Sequence, residues 1–162
     1  MSAPPAQWPH LAGEIRNGRH VLPVRIYYED TDFSGVVYHA SYLRFMERGR
    51  TDYMRLIGVA HREMFEEAGA ETQGFAFVVR SMQIDFHKSA RMDDILEICT
   101  YPGEVKGASI TLLQQVTRDG MALVDARVRV ALVAGGKAQR IPKALRIALG
   151  VDAETTSAGG QA

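Results

Sequence analysis

The chain has 162 residues, enough for one domain that buries a core without help from disulfides or metals. Basic and acidic side chains balance at 19 each, so no net charge favours nucleic acid or anionic lipid as a partner. Cys99 is the only cysteine, which excludes an intramolecular disulfide and a multi-cysteine zinc site. The sequence shows no secretory signal and no run of about 20 apolar residues, so we expect a cytoplasmic protein without a transmembrane segment.

The two ends of the chain differ in composition from its centre. Residues 1–18 contain three prolines and show no hydrophobic periodicity, which predicts a flexible N-terminal arm. Residues 151–162 are small and polar, which predicts a disordered C-terminal tail. We therefore assign the folded domain to residues 19–150.

The first half of that domain combines one strand with one long helix. Residues 20–29 are rich in Val, Ile and Tyr and predict a strand, and residues 30–39 follow as a loop. Residues 41–57 carry apolar side chains at helical spacing, with Ser41 as the expected N-cap. Gly49 lies on the apolar face, which indicates that the helix closely approaches a sheet.

The second half is predicted to be mostly sheet. A short helix at residues 62–68 precedes four strands, which we expect at 75–86, 94–105, 108–117 and 121–133. Asp119-Gly120 is a strong signal for a two-residue hairpin between the last two strands. A short helix at residues 142–149 is expected to close the domain.

This order of elements predicts an α+β fold. The apolar face of a single long helix must be covered, and a curved antiparallel sheet of about five strands wrapped around it meets that need. Long strands also leave unpaired edges, which often pair with a second copy of the chain. We therefore expect at least a dimer.

The segment between the first strand and the long helix carries the candidate chemistry. The carboxylates of Glu29, Asp30 and Asp32 fall within four residues, and Gly35 turns the chain towards the helix. The start of a helix offers unpaired N–H groups that bind a carbonyl oxygen and the oxyanion formed from it. Asp32 could face the carbonyl carbon as nucleophile or general base. Alternatively, Asp30 and Asp32 only cap turns by accepting hydrogen bonds from nearby amides.

Other catalytic motifs are missing from the sequence. It has no G-x-S-x-G, G-x-G-x-x-G or H-E-x-x-H pattern, and its five histidines do not have metal-ligand spacing. The run Gly135-Gly136-Lys137 lacks the first glycine and the following Ser or Thr of a phosphate-binding loop. We therefore expect neither a metal nor another cofactor.

Residues 28–42 (YEDTDFSGVVYHASY) resemble the signature of the YbgC-type acyl-CoA thioesterases. These enzymes belong to the 4-hydroxybenzoyl-CoA thioesterase group of hotdog-fold proteins. The similarity continues through residues 45–51 and returns at 77–80 and 90–94. It implies a hotdog fold, hydrolysis of an acyl-CoA to a free acid and CoA, and a homo-oligomer, a dimer or a homotetramer built as a dimer of dimers, with its sites at the dimer interface.

The resemblance also implies roles for individual residues. The second aspartate of the D-x-D pair is the catalytic one in this family, and here it is Asp32. At the position of His39 the backbone amide polarises the thioester carbonyl, and the imidazole could add a proton relay. The resemblance implicates the side chain of Tyr28 in the site as well. Alternatively, Tyr28 is a core aromatic residue on a strand. Asp30 is expected to hold the loop. The residues expected to border the substrate are Gly35, Val37 and Tyr38.

Further candidates follow from the substrate that the resemblance implies. The phosphates of CoA need cations, and Arg80, Lys88 and Arg91 surround the turn between two long strands. Other hotdog thioesterases use a helix glutamate as base, but Glu47 has arginine neighbours and is expected to form a solvated ion pair. Phe33 stands where relatives often carry small residues, so it is expected to narrow the acyl pocket.

Two other classes of function stay open at this point. The loop and helix could hold an acyl group or an acyl carrier protein without cleaving it. A hotdog hydratase or dehydratase would instead act on the carbon skeleton of the acyl group. The resembled family is also associated with the Tol–Pal cell-envelope system and with acyl-group metabolism.

Overall fold

The structure is a computed structural model that describes residues 11–58 and 76–151. The helix predicted at 62–68, the first ten residues of the arm and the tail from residue 152 lie outside the described residues. The chain divides into two compact units. The first comprises Met1–Leu56, Ile84–Tyr101 and Gln114–Ala126, and the second comprises Ile57–Gln83, Pro102–Leu113 and Arg127–Ala162.

The described elements follow the expected order with two additional short strands. Before the long helix come β1 (Glu14–Arg16), β2 (Arg19–Arg25) and a 3-10 turn at Tyr28–Asp30. The helix α1 spans His39–Ile57. After it come β3 (Ala76–Phe86), β4 (Ile95–Lys106), β5 (Ser109–Arg118), β6 (Met121–Ala134), β7 (Lys137–Ala138) and the short helix α2 (Lys143–Ala148).

The strands form one antiparallel sheet in the order β1-β2-β4-β5-β6-β3, with β7 paired to β6. The α+β prediction is therefore confirmed, although the sheet has seven strands and not about five. The Asp119-Gly120 hairpin is also confirmed, because both residues have the positive φ angles (51° and 77°) that a tight hairpin turn requires. Gly135 and Gly136, which have positive φ as well, form the turn between β6 and β7.

The prediction of a flexible N-terminal arm was wrong for the last residues of that arm. Glu14–Arg16 pairs with the start of β2, so regular structure begins well before residue 19. The cause is a two-residue turn at Asn17-Gly18, where φ is 51° and 73°. Asn-Gly is a strong hairpin signal, but the strand before it is too short to show a periodicity.

The boundaries around the loop also differ from the prediction. The first long strand ends at Arg25 because residues 28–30 coil into the 3-10 turn. The helix begins at His39, so the prediction that Ser41 is its N-cap was wrong. Ser41 is buried in the first turn, and its hydroxyl donates to the carbonyl oxygen of Asp30 at 3.2 Å.

A buried polar cluster fastens the N-terminal hairpin to α1. His20 of β2 has no exposed surface, and its Nε2 lies 2.6 Å from Oδ2 of Asp52. The same oxygen accepts the N–H of Gly13 at 2.8 Å, and the other carboxylate oxygen accepts from Arg55. Burial alone would raise the pKa of Asp52, but the hydrogen bonds from these three partners outweigh it and lower that pKa.

The apolar face of α1 lies directly on the sheet at Gly49. A Cβ atom added there would come within 2.9 Å of Cγ2 of Ile98 and 3.1 Å of Oγ1 of Thr100. It would also lie 3.3 Å from Nε2 of Gln114. This confirms the close approach predicted from the sequence, and it explains why a residue with poor helix propensity occupies the middle of the helix.

Gln114 connects the helix to two strands at the same place. Its side-chain amide donates to the carbonyl oxygen of Met46 and to Oγ1 of Thr100, both at 2.9 Å. Its carbonyl oxygen accepts from Nη1 of Arg50 at 2.9 Å. Hydrogen bonds to all these partners hold the buried side-chain amide in one position, so the neighbours of Gly49 have little freedom to move.

We predict that Gly49→Ala destabilises the protein. Alanine gains about 1 kcal/mol of helix propensity, but overpacking against Ile98 costs about 1–3 kcal/mol. The free energy of unfolding from urea titration should therefore fall, by up to about 2 kcal/mol. Arg48→Ala, on the exposed face of the same helix, is the matched control and should change it by less than about 0.5 kcal/mol. Equal or greater stability of Gly49→Ala would contradict the close approach.

Candidate active site

The loop between the 3-10 turn and α1 folds back on itself. Thr31 and Val37 form a single antiparallel bridge. Within it, the N–H of Asp32 donates to the carbonyl oxygen of Val36 at 2.9 Å, and the N–H of Gly35 donates to that of Asp32 at 3.0 Å. Gly35 has φ = 81°, a conformation that favours glycine. The turn that the sequence predicted at this position is therefore formed.

Asp32 lies exposed at the base of this turn. Its Oδ1 accepts the hydroxyl of Ser34 at 2.5 Å and the backbone N–H of Ser34 at 2.8 Å. These two bonds hold the pKa of Asp32 below its ordinary value, and the backbone of Val36 and the nearby His39 act in the same direction. Asp32 is therefore a carboxylate at neutral pH, as a nucleophile or a general base must be.

The first turn of α1, which directly follows the Asp32 loop in the chain, contains two backbone amides that are free to bind an oxygen among the described residues. The N–H groups of Val37, Tyr38 and Ser41 donate to backbone carbonyls at 2.8, 2.9 and 2.8 Å. By contrast, the N–H groups of His39 and Ala40 find no acceptor among residues 11–58 and 76–151. Both lie at the positive end of a 19-residue helix, where an oxygen that carries negative charge is stabilised.

Residues 87–94 support the loop from one side. The carbonyl oxygen of Ala90 accepts the N–H of Val37 at 2.8 Å, and its N–H donates to the hydroxyl of Tyr42 in α1 at 3.0 Å. Val36 and Arg91 form a further antiparallel bridge. Ala90 is fully buried, so the loop and the helix are both attached to a fixed point.

An ion pair stabilises this supporting segment. Oδ2 of Asp94 accepts the N–H of Arg91 and Nη1 of Arg118, both at 2.8 Å. The same guanidinium reaches the carbonyl oxygen of Ser89 at 3.3 Å. The bonds from Arg91 and Arg118 outweigh a smaller effect of burial and lower the pKa of Asp94. Sequence reasoning missed Arg118, because it comes from β5 and no local motif connects it to the loop.

The structure separates the roles of the two residues that precede Asp32 in the motif. Asp30 is 7% exposed, accepts the N–H of Tyr27 at 2.8 Å through its carboxylate, and accepts the N–H of Tyr38 through its carbonyl. The prediction that it holds the loop is therefore confirmed. Tyr28 is 83% exposed in the 3-10 turn, so the alternative of a core aromatic on a strand was wrong.

The residues predicted to bind CoA are divided between the two compact units. Lys88 and Arg91 are exposed beside the loop, in the first unit, and Lys88 directs its ammonium to Sδ of Met121 at 3.2 Å. Arg80 is exposed on β3 and belongs to the second unit.

Two further predicted residues are placed by the described chain. Glu47 accepts the hydroxyl of Thr51 at 2.6 Å, and the expected ion pair with an arginine is not formed among the described residues. Phe33 is fully exposed beside Asp32.

The first unit contains a cleft that Asp32 does not line. It has a volume of about 560 Å³ and runs between β2 and the exposed side of α1. Neither Asp32 nor His39 lines it. In residues 11–58 and 76–151, no three His, Cys, Asp or Glu side chains group as metal ligands. In the same ranges, no helix combines the length and the apolar character needed to cross a membrane.

From Ser34 onwards, the loop and the start of α1 fall inside a region shared with known proteins, and Asp32 lies just before it. Residues 34–124 match the family model of the Thioesterase superfamily. The chain belongs to this superfamily. The acyl-CoA thioesterase YbgC of Haemophilus influenzae is 44% identical to it over 129 residues, which cover 78% of this chain and 91% of the relative.

Solved structures agree with this membership. A probable thioesterase from Bartonella henselae superimposes with a TM-score of 0.61 at 39% identity, covering 78% of this chain and 100% of that one. A 4-hydroxybenzoyl-CoA thioesterase variant bound to 4-hydroxybenzoyl-CoA gives a TM-score of 0.72 at 19% identity, covering 82% and 99%. The latter likeness concerns the fold alone. The predicted hotdog fold and the predicted family are both confirmed.

We predict that Ser34→Ala moves the acid limb of the pH–rate profile to higher pH. The variant loses the hydroxyl bond that favours ionised Asp32, so the pKa of Asp32 rises and the carboxylate is protonated at a higher pH than in the wild type. The measurement is kcat/KM for thioester hydrolysis from neutral pH down to about pH 3, which brackets the ordinary aspartate value.

Thr31→Ala is the matched control for this prediction. It removes a hydroxyl from the same loop, but one that donates to the carbonyl oxygen of Tyr28 and not to Asp32. Its acid limb should coincide with that of the wild type. If Ser34→Ala also leaves the limb in place, then ionisation of Asp32 does not set the acid limb.

Proposed function

We propose that this chain hydrolyses acyl-CoA thioesters to a free acid and CoA, with Asp32 as nucleophile or general base. The observation that carries the proposal is an ionised carboxylate in the loop that leads directly into α1, whose first turn contains two backbone amides without an acceptor among the described residues. The membership of the thioesterase superfamily and the identity with the acyl-CoA thioesterase YbgC of Haemophilus influenzae support it.

In this mechanism the thioester carbonyl oxygen accepts hydrogen bonds from the N–H groups of His39 and Ala40. These donors stabilise the negative charge that the oxygen gains when the carbonyl carbon becomes tetrahedral. Asp32 either attacks that carbon, which expels the CoA thiolate and leaves a mixed anhydride for water to cleave, or removes a proton from an attacking water. The imidazole of His39 relays a proton to the leaving thiolate. The hydroxyl of Tyr28, in the preceding 3-10 turn, donates a hydrogen bond within the site.

The remainder of the substrate is held by neighbouring groups. The exposed cations Lys88, Arg91 and Arg80 are proposed partners of the CoA phosphates. Gly35 and Tyr38 are proposed to border the acyl group. Val37 contributes through its backbone position, because its side chain is buried and its N–H already binds Ala90.

A second copy of the chain is proposed to complete the site. In the described part of the chain β3 has β6 as its one strand neighbour, so the other edge of β3 can pair with a second subunit. The exposure of Phe33 and of Asp32 fits a site that is covered only after assembly. We propose a homodimer of the hotdog type, which assembles further into a tetramer. Cytoplasmic location, contact with an acyl carrier protein and a link to the Tol–Pal system stay predictions.

We predict that Asp32→Asn lowers kcat by about 10²- to 10⁴-fold, because the amide can neither attack the carbonyl carbon nor accept a proton. The assay is thiol release from a panel of acyl-CoAs of different chain length, together with light scattering to follow the oligomer. Asp119→Asn makes the same chemical change in the β5–β6 turn and should leave kcat within about twofold.

The same panel separates hydrolysis from the alternative of an acyl-binding module. If the wild type binds acyl-CoA but releases no thiol from any member of the panel, the chain is a binding module. Full activity in a folded Asp32→Asn would show that another group performs the chemistry.

We predict that Phe33→Ala shifts the preference towards longer acyl chains. A ring next to Asp32 limits the space for the acyl group, and its removal should raise the ratio of kcat/KM for a long chain to that for a short chain by about tenfold. Thr31→Ala again serves as the control, since it shortens a side chain of the same loop without removing a ring. An unchanged ratio would place the acyl pocket elsewhere.

A further inference from the structure

The imidazole of His39 lies between two aromatic rings. The ring centroid of Tyr38 is 4.6 Å from that of His39, with an interplanar angle of 59°. The ring of Phe86, at the end of β3, is 6.2 Å away and nearly perpendicular at 85°. Both distances fall in the range of about 4.5–7 Å in which aromatic pairs attract each other. Phe86 thus contacts the site from an element outside the Asp32 loop.

Phe86 is itself held in place by a buried residue. Its ring centroid lies 5.9 Å from that of Tyr42, which is 3% exposed. The hydroxyl of Tyr42 accepts the N–H of Ala90, and burial raises the pKa of Tyr42. Two contacts in series therefore connect Ala90 through Tyr42 to Phe86.

The backbone that follows Phe86 is fixed as well. The N–H groups of His87 and Lys88 both donate to the carbonyl oxygen of Leu123 in β6, at 2.8 and 3.2 Å. His87 is further restrained by Asp125, whose Oδ2 lies 2.8 Å from its Nε2. The backbone at Phe86 is therefore fixed, and its ring, which is 47% exposed, is held by the contact with Tyr42.

We propose that Phe86 is a positioning residue that holds the imidazole of His39 in the orientation from which it acts beside Asp32. Without this contact, an exposed imidazole at the start of a helix would sample several rotamers. Unproductive rotamers would then lower kcat, because they do not place the imidazole in the geometry that the reaction needs. The proposal rests on the proposed function of His39, and it adds a residue from β3 that touches no reacting atom in the mechanism above.

A double-mutant cycle tests this role. Phe86→Leu should lower kcat by about two- to tenfold, the range expected for loss of one edge-to-face pair, while KM changes less. His39→Gln should lower kcat further. In the double variant Phe86→Leu should have no additional effect, because a residue that acts through His39 has nothing to position once the imidazole is gone. Phe86→Tyr keeps the ring and should retain kcat.

Phe77→Leu is the matched control, since it removes a phenyl ring from the same strand. Its effect on kcat should be small and should be the same with His39 or Gln at position 39. An additive effect of Phe86→Leu in the His39→Gln background would overturn the proposal, because Phe86 would then act directly on substrate or on the fold. A wild-type kcat in His39→Gln would overturn it too.

A second measurement does not depend on turnover. The carbon-bound ring protons of His39 should show a ring-current shift in the NMR spectrum that changes in Phe86→Leu, where only the ring of Tyr38 still contributes, and that persists unchanged in Phe86→Tyr. The same shift should be present in inactive Asp32→Asn. If the wild type cleaves no acyl-CoA, the proposed function fails while this measurement still decides whether Phe86 contacts His39. If the shift is the same in Phe86→Leu and the wild type, the positioning role is wrong.

Discussion

The backbone of Ala90 connects the two parts of the candidate site, and its two hydrogen bonds determine where the other groups lie. Its carbonyl oxygen holds the Asp32 loop through Val37, and its N–H holds the first turns of α1 through Tyr42. Because Ala90 is buried, water does not compete for either bond, and each one is correspondingly costly to lose. The positions of the Asp32 loop and of the first turns of α1 are therefore both fixed by one residue far away in the sequence.

Much of this arrangement could be predicted because its signals are local. The turn at Gly35, the carboxylate before it and the helix after it occur within a dozen residues, and short-range geometry dictates their relation. Gly49 was informative for a similar reason, since a glycine on an apolar helix face has few explanations other than close packing. The Asp119-Gly120 hairpin depended on two residues alone.

The features that escaped prediction join residues far apart in the chain. Arg118 comes from β5, and it reaches Asp94 only after the sheet has formed. Phe86 contacts His39 across 47 positions, and nothing in the sequence around either residue indicates the pair. The Asn17-Gly18 turn is a different case: its local signal was present, but the neighbouring prolines and the short strand before it concealed a hairpin. The hydrogen-bond partners of Ser41 also escaped prediction, because they depend on the exact residue at which the helix begins.

The cluster around Asp52 has a consequence for the behaviour of the chain in acid. Its lowered pKa means that the folded state favours the charged carboxylate more than the unfolded state does, so this stabilisation is complete above about pH 4 and fades as acidity increases beyond that point. Protonation would weaken the attachment of Gly13 and His20 to α1 while leaving the contacts of Ala90 intact. Acid below about pH 4 should thus loosen the N-terminal hairpin from α1.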